Sequence, residues 1–211
     1  MFPRLLSVSA LASGLFAMAA AAHAVESNAH APATERVFAP IYGKTLPPIG
    51  FVEFCARDRQ HCMSSNSLRR LVLTEANWKE LQQVNARVNS SIRPVSDLDL
   101  YGVPERWDYP VNAGDCEDYV LLKKRELENL GFPSHALLIT VVLDEAGEGH
   151  AVLTVSTNQG DFVLDNRRDA IIRWAETRYR FLKRQSQDDS RIWVALSEAG
   201  KTSVVEAAKD H

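Results

Sequence analysis

At Gly131 the spacing of apolar residues changes period, and that change restricts the fold class more than any other feature of this sequence. Before it, Trp78, Leu81, Val84, Val88 and Ile92 recur every three or four positions. That spacing predicts a helix opened by Thr74 as N-cap and closed by Pro94. A second helix is predicted over 115–130, with Tyr119, Leu122, Leu127 and Leu130 marking its spacing and Lys123, Lys124 and Arg125 solvated. Gly131 and Pro133 supply its left-handed cap and its stop. Beyond them the chain reads as strands: 136–143, 150–156 after a hairpin loop at 144–149, and 161–165 after a turn at 158–160. Residues 179–185 and 191–195 are two further strand candidates, and 168–175 read as an irregular or helical link. Between the helices, 95–114 is broken by glycine and proline and reads as an ordered loop packed by Tyr101, Trp107 and Tyr109. Helices followed by an antiparallel sheet predict an α+β domain.

The ends of the chain bear on compartment. Arg4 precedes an apolar or small run over 5–22, and Ala22-His23-Ala24 has the small-x-small pattern of a signal peptidase site, so residues 1–24 are expected to be a signal peptide. A retained anchor is the alternative, although an Ala- and Ser-rich run spans a bilayer poorly. No later stretch is apolar enough to cross a membrane. The expected organisation is an extended N-terminal segment over 25–48, one domain over 49–200 and a tail over 201–211. The formal charge of -3 carries no basic stripe, which argues against a nucleic-acid partner.

Three cysteines in an exported chain leave at least one thiol unpaired. Cys55 and Cys62 form the local pair. Seven residues of continuous helix separate Cα atoms by about 10.5 Å, and a disulfide needs less than about 7 Å. A bond therefore requires the helix to break between them; the alternative is two buried free thiols. Cys116 is the odd one out. It stands in Asn112-Ala113-Gly114-Asp115-Cys116-Glu117-Asp118-Tyr119, in the first turn of the second helix. Unpaired N–H groups and the positive dipole end there stabilise a thiolate. An inert cysteine filling a helix–sheet gap is the competing reading.

A thiolate nucleophile also needs a base. Of the histidines after residue 24, His30 and His211 lie near the ends, His61 sits beside the cysteine pair and His135 precedes the first strand. His150 opens the second strand, where an imidazole can face the start of a packed helix. Asp165 closes the next strand, where its carboxylate can hold the other ring nitrogen. Each taken alone is an ordinary strand-end residue. The order Cys116, His150, Asp165 on helix, strand and neighbouring strand is far more specific.

Gly114-Asp115-Cys116-Glu117-Asp118-Tyr119, Gly149-His150-Ala151-Val152-Leu153 and Leu164-Asp165-Asn166 resemble the bacterial transglutaminase-like cysteine proteinases. The likeness runs from about Phe51 to Val194 and takes in Tyr179-Arg180-Phe181. It implies a transglutaminase-like, papain-like fold and a periplasmic enzyme hydrolysing a protein substrate, a surface adhesin in the family's best-known case. It also implies Cys116 as nucleophile, His150 as base and acid, and Asp165 as the orienting carboxylate; an inner-membrane regulatory protein is a partner in the family's best-known case. Glutamine–lysine crosslinking by the same groups and a non-catalytic binding module remain open alternatives.

The carboxylates of Asp115, Glu117 and Asp118 raise a further question. As helix N-terminal charges they are unremarkable, yet beside a thiol they oppose its ionisation. A bound Ca²⁺ would cancel that field. The resemblance implies calcium dependence, with ligands at Asp115 and Glu117, and Asp118 is the third candidate ligand.

Overall fold

The computed structural model describes residues 37–63 and 67–202. The expected signal peptide, residues 25–36 of the expected N-terminal segment and most of the C-terminal tail lie outside them. Helix α1 (Ile49–Arg57) buries Phe51 and Phe54 and stops at Asp58; a single 3-10 turn at Gln60–Cys62 follows. That break brings the Cα atoms of Cys55 and Cys62 to 5.6 Å, and the two cysteines are disulfide-bonded.

Helix α2 (Glu75–Ser91) begins at Thr74, whose hydroxyl accepts from the Asn77 N–H while Asn77 returns a bond to the Thr74 N–H. Its buried residues Leu81, Val84, Asn85 and Val88 repeat at helical spacing. Helix α4 (Cys116–Asn129) ends in a Schellman motif: Phe132 N–H bonds to Leu127 O, Gly131 N–H to Glu128 O, and Gly131 takes φ +88°. Between these helices the expected loop over 95–114 contains a short helix, α3 (Asp97–Tyr101), capped by the Ser96 hydroxyl. A two-residue parallel bridge closes the stretch, β2 (Arg93–Pro94) on β3 (Ala113–Gly114).

The sheet has seven strands in the order β1-β9-β8-β4-β5-β6-β7. They are β1 (Lys44–Thr45), β4 (Leu137–Leu143), β5 (Gly149–Thr157), β6 (Gly160–Asp165), β7 (Arg168–Arg173), β8 (Arg180–Gln185) and β9 (Trp193–Ala195). Every pairing within it is antiparallel. The β4–β5 hairpin sets Val142 opposite His150, and β5–β6 sets Leu153 opposite Leu164. The main core, including Phe51, Leu81, Leu127, Ile139, Leu153 and Trp193, joins α1, α2 and α4 to the sheet. A smaller cluster of Ala39, Val142, Val152, Val163, Tyr179 and Phe181 fills the other side.

Three sequence expectations are corrected here. The link expected at 168–175 is mostly strand β7, an edge strand whose charged residues stay at the surface while Ile171 alone is buried. Lys123 and Lys124 are not solvated; they are 0% and 6% exposed, because α4 lies between the sheet and its neighbouring helix. Lys124 donates to the carbonyls of Ser134 and Leu137 and thereby fastens the end of α4 to the start of β4. The N-terminal segment also joins the domain before residue 49: Asp161 N–H bonds to Val37 O, and β1 pairs with β9.

Candidate active site

The start of α4, the head of β5 and the end of β6 meet at one cleft of about 1140 Å³, whose lining includes Cys116, His150, Trp107 and Arg167. Asp115 occupies the N-cap position of α4, but its side chain makes no capping bond. Gly114 allows the chain to enter the helix tightly, since a Cβ there would run into the Asp118 carboxylate. Cys116 Sγ accepts the Ala151 N–H at 3.3 Å, which fixes the helix start against β5 one residue after His150. The thiol in turn donates to Glu117 Oε2 at 3.1 Å.

His150 is 3% exposed, and its Nε2 lies 2.9 Å from Asp165 Oδ1. With the proton on Nε2, the other ring nitrogen is an acceptor; Nδ1 is buried and has no hydrogen-bond partner among the described residues. Asp165 is surrounded by donors. Tyr179 Oη gives a 2.7 Å bond to Oδ2, the Arg167 N–H a 3.0 Å bond to Oδ1, and Arg168 Nε lies 3.4 Å from Oδ2. Burial alone would raise this carboxyl, but the bonds from His150, Arg167 and Tyr179 outweigh it and hold Asp165 well below the usual carboxylate range. The Tyr179 ring also stands edge-on to the imidazole, centroids 5.6 Å apart.

On the other side of Cys116 carboxylates gather. Asp97, Asp115 and Glu117 bring one oxygen each to within 4.8 Å of one another. Asp97 is 2% exposed; its Oδ2 accepts the Arg106 N–H, and its Oδ1 has no partner among the described residues. Burial, then the charge of Asp115, pushes the Asp97 carboxyl up to about 6. Glu105, bonded to the Trp107 indole N–H at 2.6 Å, is pushed up to about 7, by burial first. Burial, followed by Glu117 and Asp115, drives the Cys116 thiol well above its ordinary range. Three converging carboxylates and one orphaned buried oxygen suit a hard cation with oxygen ligands.

Residues 41–201 match the model of the bacterial transglutaminase-like cysteine proteinases. The chain belongs to this family. Its members are cysteine peptidases, and the α+β architecture is that of the family. The chain is similar to solved structures of Legionella pneumophila LapG. One shares 23% identity at a TM-score of 0.48, covering 56% of this chain and 67% of LapG. The calcium-bound structure shares 22% at 0.49, covering 62% and 74%, and the EGTA-treated one 24% at 0.48, covering 56% and 67%. No curated protein matches the chain.

In this proteinase, then, the sequence-selected Cys116, His150 and Asp165 lie on the three elements that meet at the cleft. Asp115 and Glu117 converge, but Asp118 does not join them. Its Oδ1 accepts the Asp108 N–H at 2.8 Å and anchors the loop before the helix. The converging third carboxylate is Asp97, eighteen positions before Asp115, carried in by α3. The sequence signal for it was the Ser96 cap ahead of Asp97, hidden in a stretch read as loop. Tyr179 was part of the family pattern, but nothing in its spacing assigned it to Asp165. Among the described residues no helix is long and apolar enough to cross a membrane.

Proposed function

We propose that the chain is a periplasmic cysteine protease in which Cys116 attacks a peptide carbonyl, His150 carries the proton and Asp165 orients the imidazole. The observation that carries this reading is the state of His150. Asp165 claims Nε2, and Nδ1 is left bare next to Ala151, whose own N–H touches the Cys116 sulfur. An imidazole held by one nitrogen presents the other as base for the thiol and then as acid for the leaving amine. The amine leaves with that proton, and water, deprotonated by the same nitrogen, releases the acyl group from sulfur. N–H groups at the start of α4, that of Cys116 included, are the candidate oxyanion donors. The expected signal peptide supports export, and a protein substrate follows from the protease chemistry.

Calcium belongs to this reading, with Asp97, Asp115 and Glu117 as its ligands. When bound, the ion would supply positive charge beside a thiol that burial, then Glu117 and Asp115, otherwise keep protonated.

Two experiments test the proposal. Iodoacetamide should label Cys116 rapidly at neutral pH in the wild type with Ca²⁺ and slowly in His150→Ala. Surface and released proteins of a strain carrying Cys116→Ala should differ from those of its parent by at least one uncleaved protein. Indistinguishable profiles, together with slow labelling of the wild type, would discard the mechanism.

A further inference from the structure

The lining of the cleft is divided by charge. Asp97, Asp115 and Glu117 converge where α3 meets the start of α4. Arg93, one of two arginines in the lining, stands on β2 beside β3, the strand that leads into α4. The other, Arg167, lies on the imidazole side of the thiol. Asn166 and Arg167 form the turn between β6 and β7, and the Arg167 N–H bonds to Asp165 Oδ1. In the sheet, β5 lies between β4 and β6. Asp144 follows β4, Arg167 follows β6, and their side chains meet at 2.6 Å, Nη1 on Oδ2. The pair thus bridges the two loops that flank the head of β5, where His150 stands.

The bridge fixes the guanidinium without consuming it. Asp144 is itself held, its Oδ1 accepting the N–H groups of Ala146 and Glu148. It engages Nη1 alone; Nε and Nη2 have no hydrogen-bond partner among the described residues, and the arginine side chain is 43% exposed. An ion pair with a partner this exposed adds little stability, so pinning two loops is a poor account of it. The free Nε–H and Nη2–H share one edge of the planar group, the edge that binds a carboxylate through two parallel hydrogen bonds. The proposed proton path says which part of a substrate comes there. His150 gives its proton to the leaving amine, so the residues after the scissile bond pass over the imidazole towards Arg167.

We propose that Arg167 determines specificity on the leaving-group side of the cleft, selecting substrate segments with an aspartate or glutamate shortly after the bond that is cut. The inference rests on the hydrolase reading above and names its substrate class. The wild type in Ca²⁺ is given a peptide library digested from whole-cell protein, and mass spectrometry reads the cut sites. Acidic residues should be enriched after the cut. Synthetic peptides that differ only as Glu or Gln at the enriched position should differ about tenfold in kcat/KM, the size of one hydrogen-bonded charge pair. The ratio should shrink in Arg167→Lys and reach one in Arg167→Gln. A structural pin would not move this ratio, because loosened loops slow both peptides alike. No acidic enrichment in the wild type, or a ratio unchanged in Arg167→Gln, would overturn the proposal.

A second measurement needs no turnover. Cys116, the cysteine outside the disulfide, is modified with two methanethiosulfonates, one bearing a sulfonate and one a trimethylammonium group. The ratio of their rates, anionic over cationic, should fall about fivefold from wild type to Arg167→Glu, since the charge beside the leaving-group path is reversed. An unchanged ratio also overturns the proposal. Should the wild type cut no peptide, the hydrolase reading fails, while the reagent pair still decides whether Arg167 presents its charge to the cleft. If Arg167→Gln does not fold, Arg167→Glu takes its place in the peptide assay; failure of both assigns the arginine to the fold and overturns the proposal as well.

Discussion

Tyr179 Oη donates a 2.7 Å hydrogen bond to Asp165 Oδ2, the oxygen opposite the one that meets His150 Nε2. The same phenol ring stands edge-on to the imidazole. One side chain therefore fixes both members of the pair, one through its hydroxyl and the other through its ring. Tyr179→Phe should keep the ring contact and lose the bond. A hydrogen bond to a charged group is worth about 1.5–3 kcal/mol, and only part of that is lost in the transition state, so kcat should fall about three- to tenfold. Tyr179→Ala should fall further. Equal kcat values for Phe and wild type would remove the hydroxyl from the mechanism.

The Asp165 carboxyl is held below its ordinary range by His150, the Arg167 N–H and Tyr179 against the opposing effect of burial. An unfolded aspartate titrates near 3.9. Around that pH the unfolded chain binds more protons than the folded one, so stability rises with pH there. The contribution is present above about pH 4 and is lost as pH falls through the lower folded value. Urea midpoints of wild type and Asp165→Asn should differ by a constant gap above about pH 5, and the gap should narrow below about pH 4. A gap that does not change with pH would mean the carboxylate contributes shape rather than charge.

How much of this was legible beforehand varies by element. The helices of Thr74 and of Cys116 were, because an apolar helical period runs between Thr74 and Pro94 in the first and up to Gly131 and Pro133 in the second. The central strands were, because their residues are aliphatic or β-branched and buried on both sides. The edge strand β7 was not: its one buried residue, Ile171, stands among charges that face solvent and mimic a link. Lys123 and Lys124 were misread for a related reason, since a charge in a sequence carries no sign of the packing that buries it. For the site, Cys116, His150 and Asp165 were singled out by their order on helix, strand and neighbouring strand and by the family resemblance, each being ordinary alone. Asp97 reaches Asp115 only through the tertiary path of α3, which no spacing rule contains.

Gly114 is expected to tolerate no side chain. Its Cβ would meet the Asp118 carboxylate, which is itself held by the Asp108 N–H. Gly114→Ala should cost about 1–3 kcal/mol as overpacking. It should also lower activity more than its stability loss explains, because the displaced residue is two positions from the thiol. Wild-type melting and turnover in this variant would show that Asp118 can move without consequence.

Reduction of the Cys55–Cys62 bond should lower stability by about 2.5 kcal/mol, the chain-entropy value for so short a loop. The bond holds α1 to the turn after it, and Arg57 at the end of α1 donates to the Trp107 carbonyl in the cleft wall. Mass spectrometry of non-reduced peptides should show the linked pair, and chemical denaturation with and without reductant measures the difference. Full alkylation of both thiols without reductant contradicts the bond.

The acidic cluster should make stability depend on calcium and on pH together. Burial raises Asp97 to about 6, Glu105 to about 7 and Asp118 to about 8, with the charge of Asp115 acting in the same direction on all three. Unfolded carboxyls titrate near 4, so between about pH 4 and 8 the ion-free folded state binds more protons than the unfolded one. Stability in EGTA should therefore fall as pH rises through that window, the opposite of the Asp165 effect. A cation on Asp97, Asp115 and Glu117 offsets both the burial of these charges and the repulsion among them. Adding Ca²⁺ should raise the melting temperature, by more at pH 8 than at pH 5, and Mg²⁺ should do so less because its small octahedral shell suits such a site poorly. Asp97→Asn and Glu117→Gln should blunt the response. Asp118→Asn should keep it, since that carboxylate is committed to Asp108. Identical melting curves in EGTA and in Ca²⁺ at pH 8 would remove the ion from the site and leave these carboxylates as an acidic helix start.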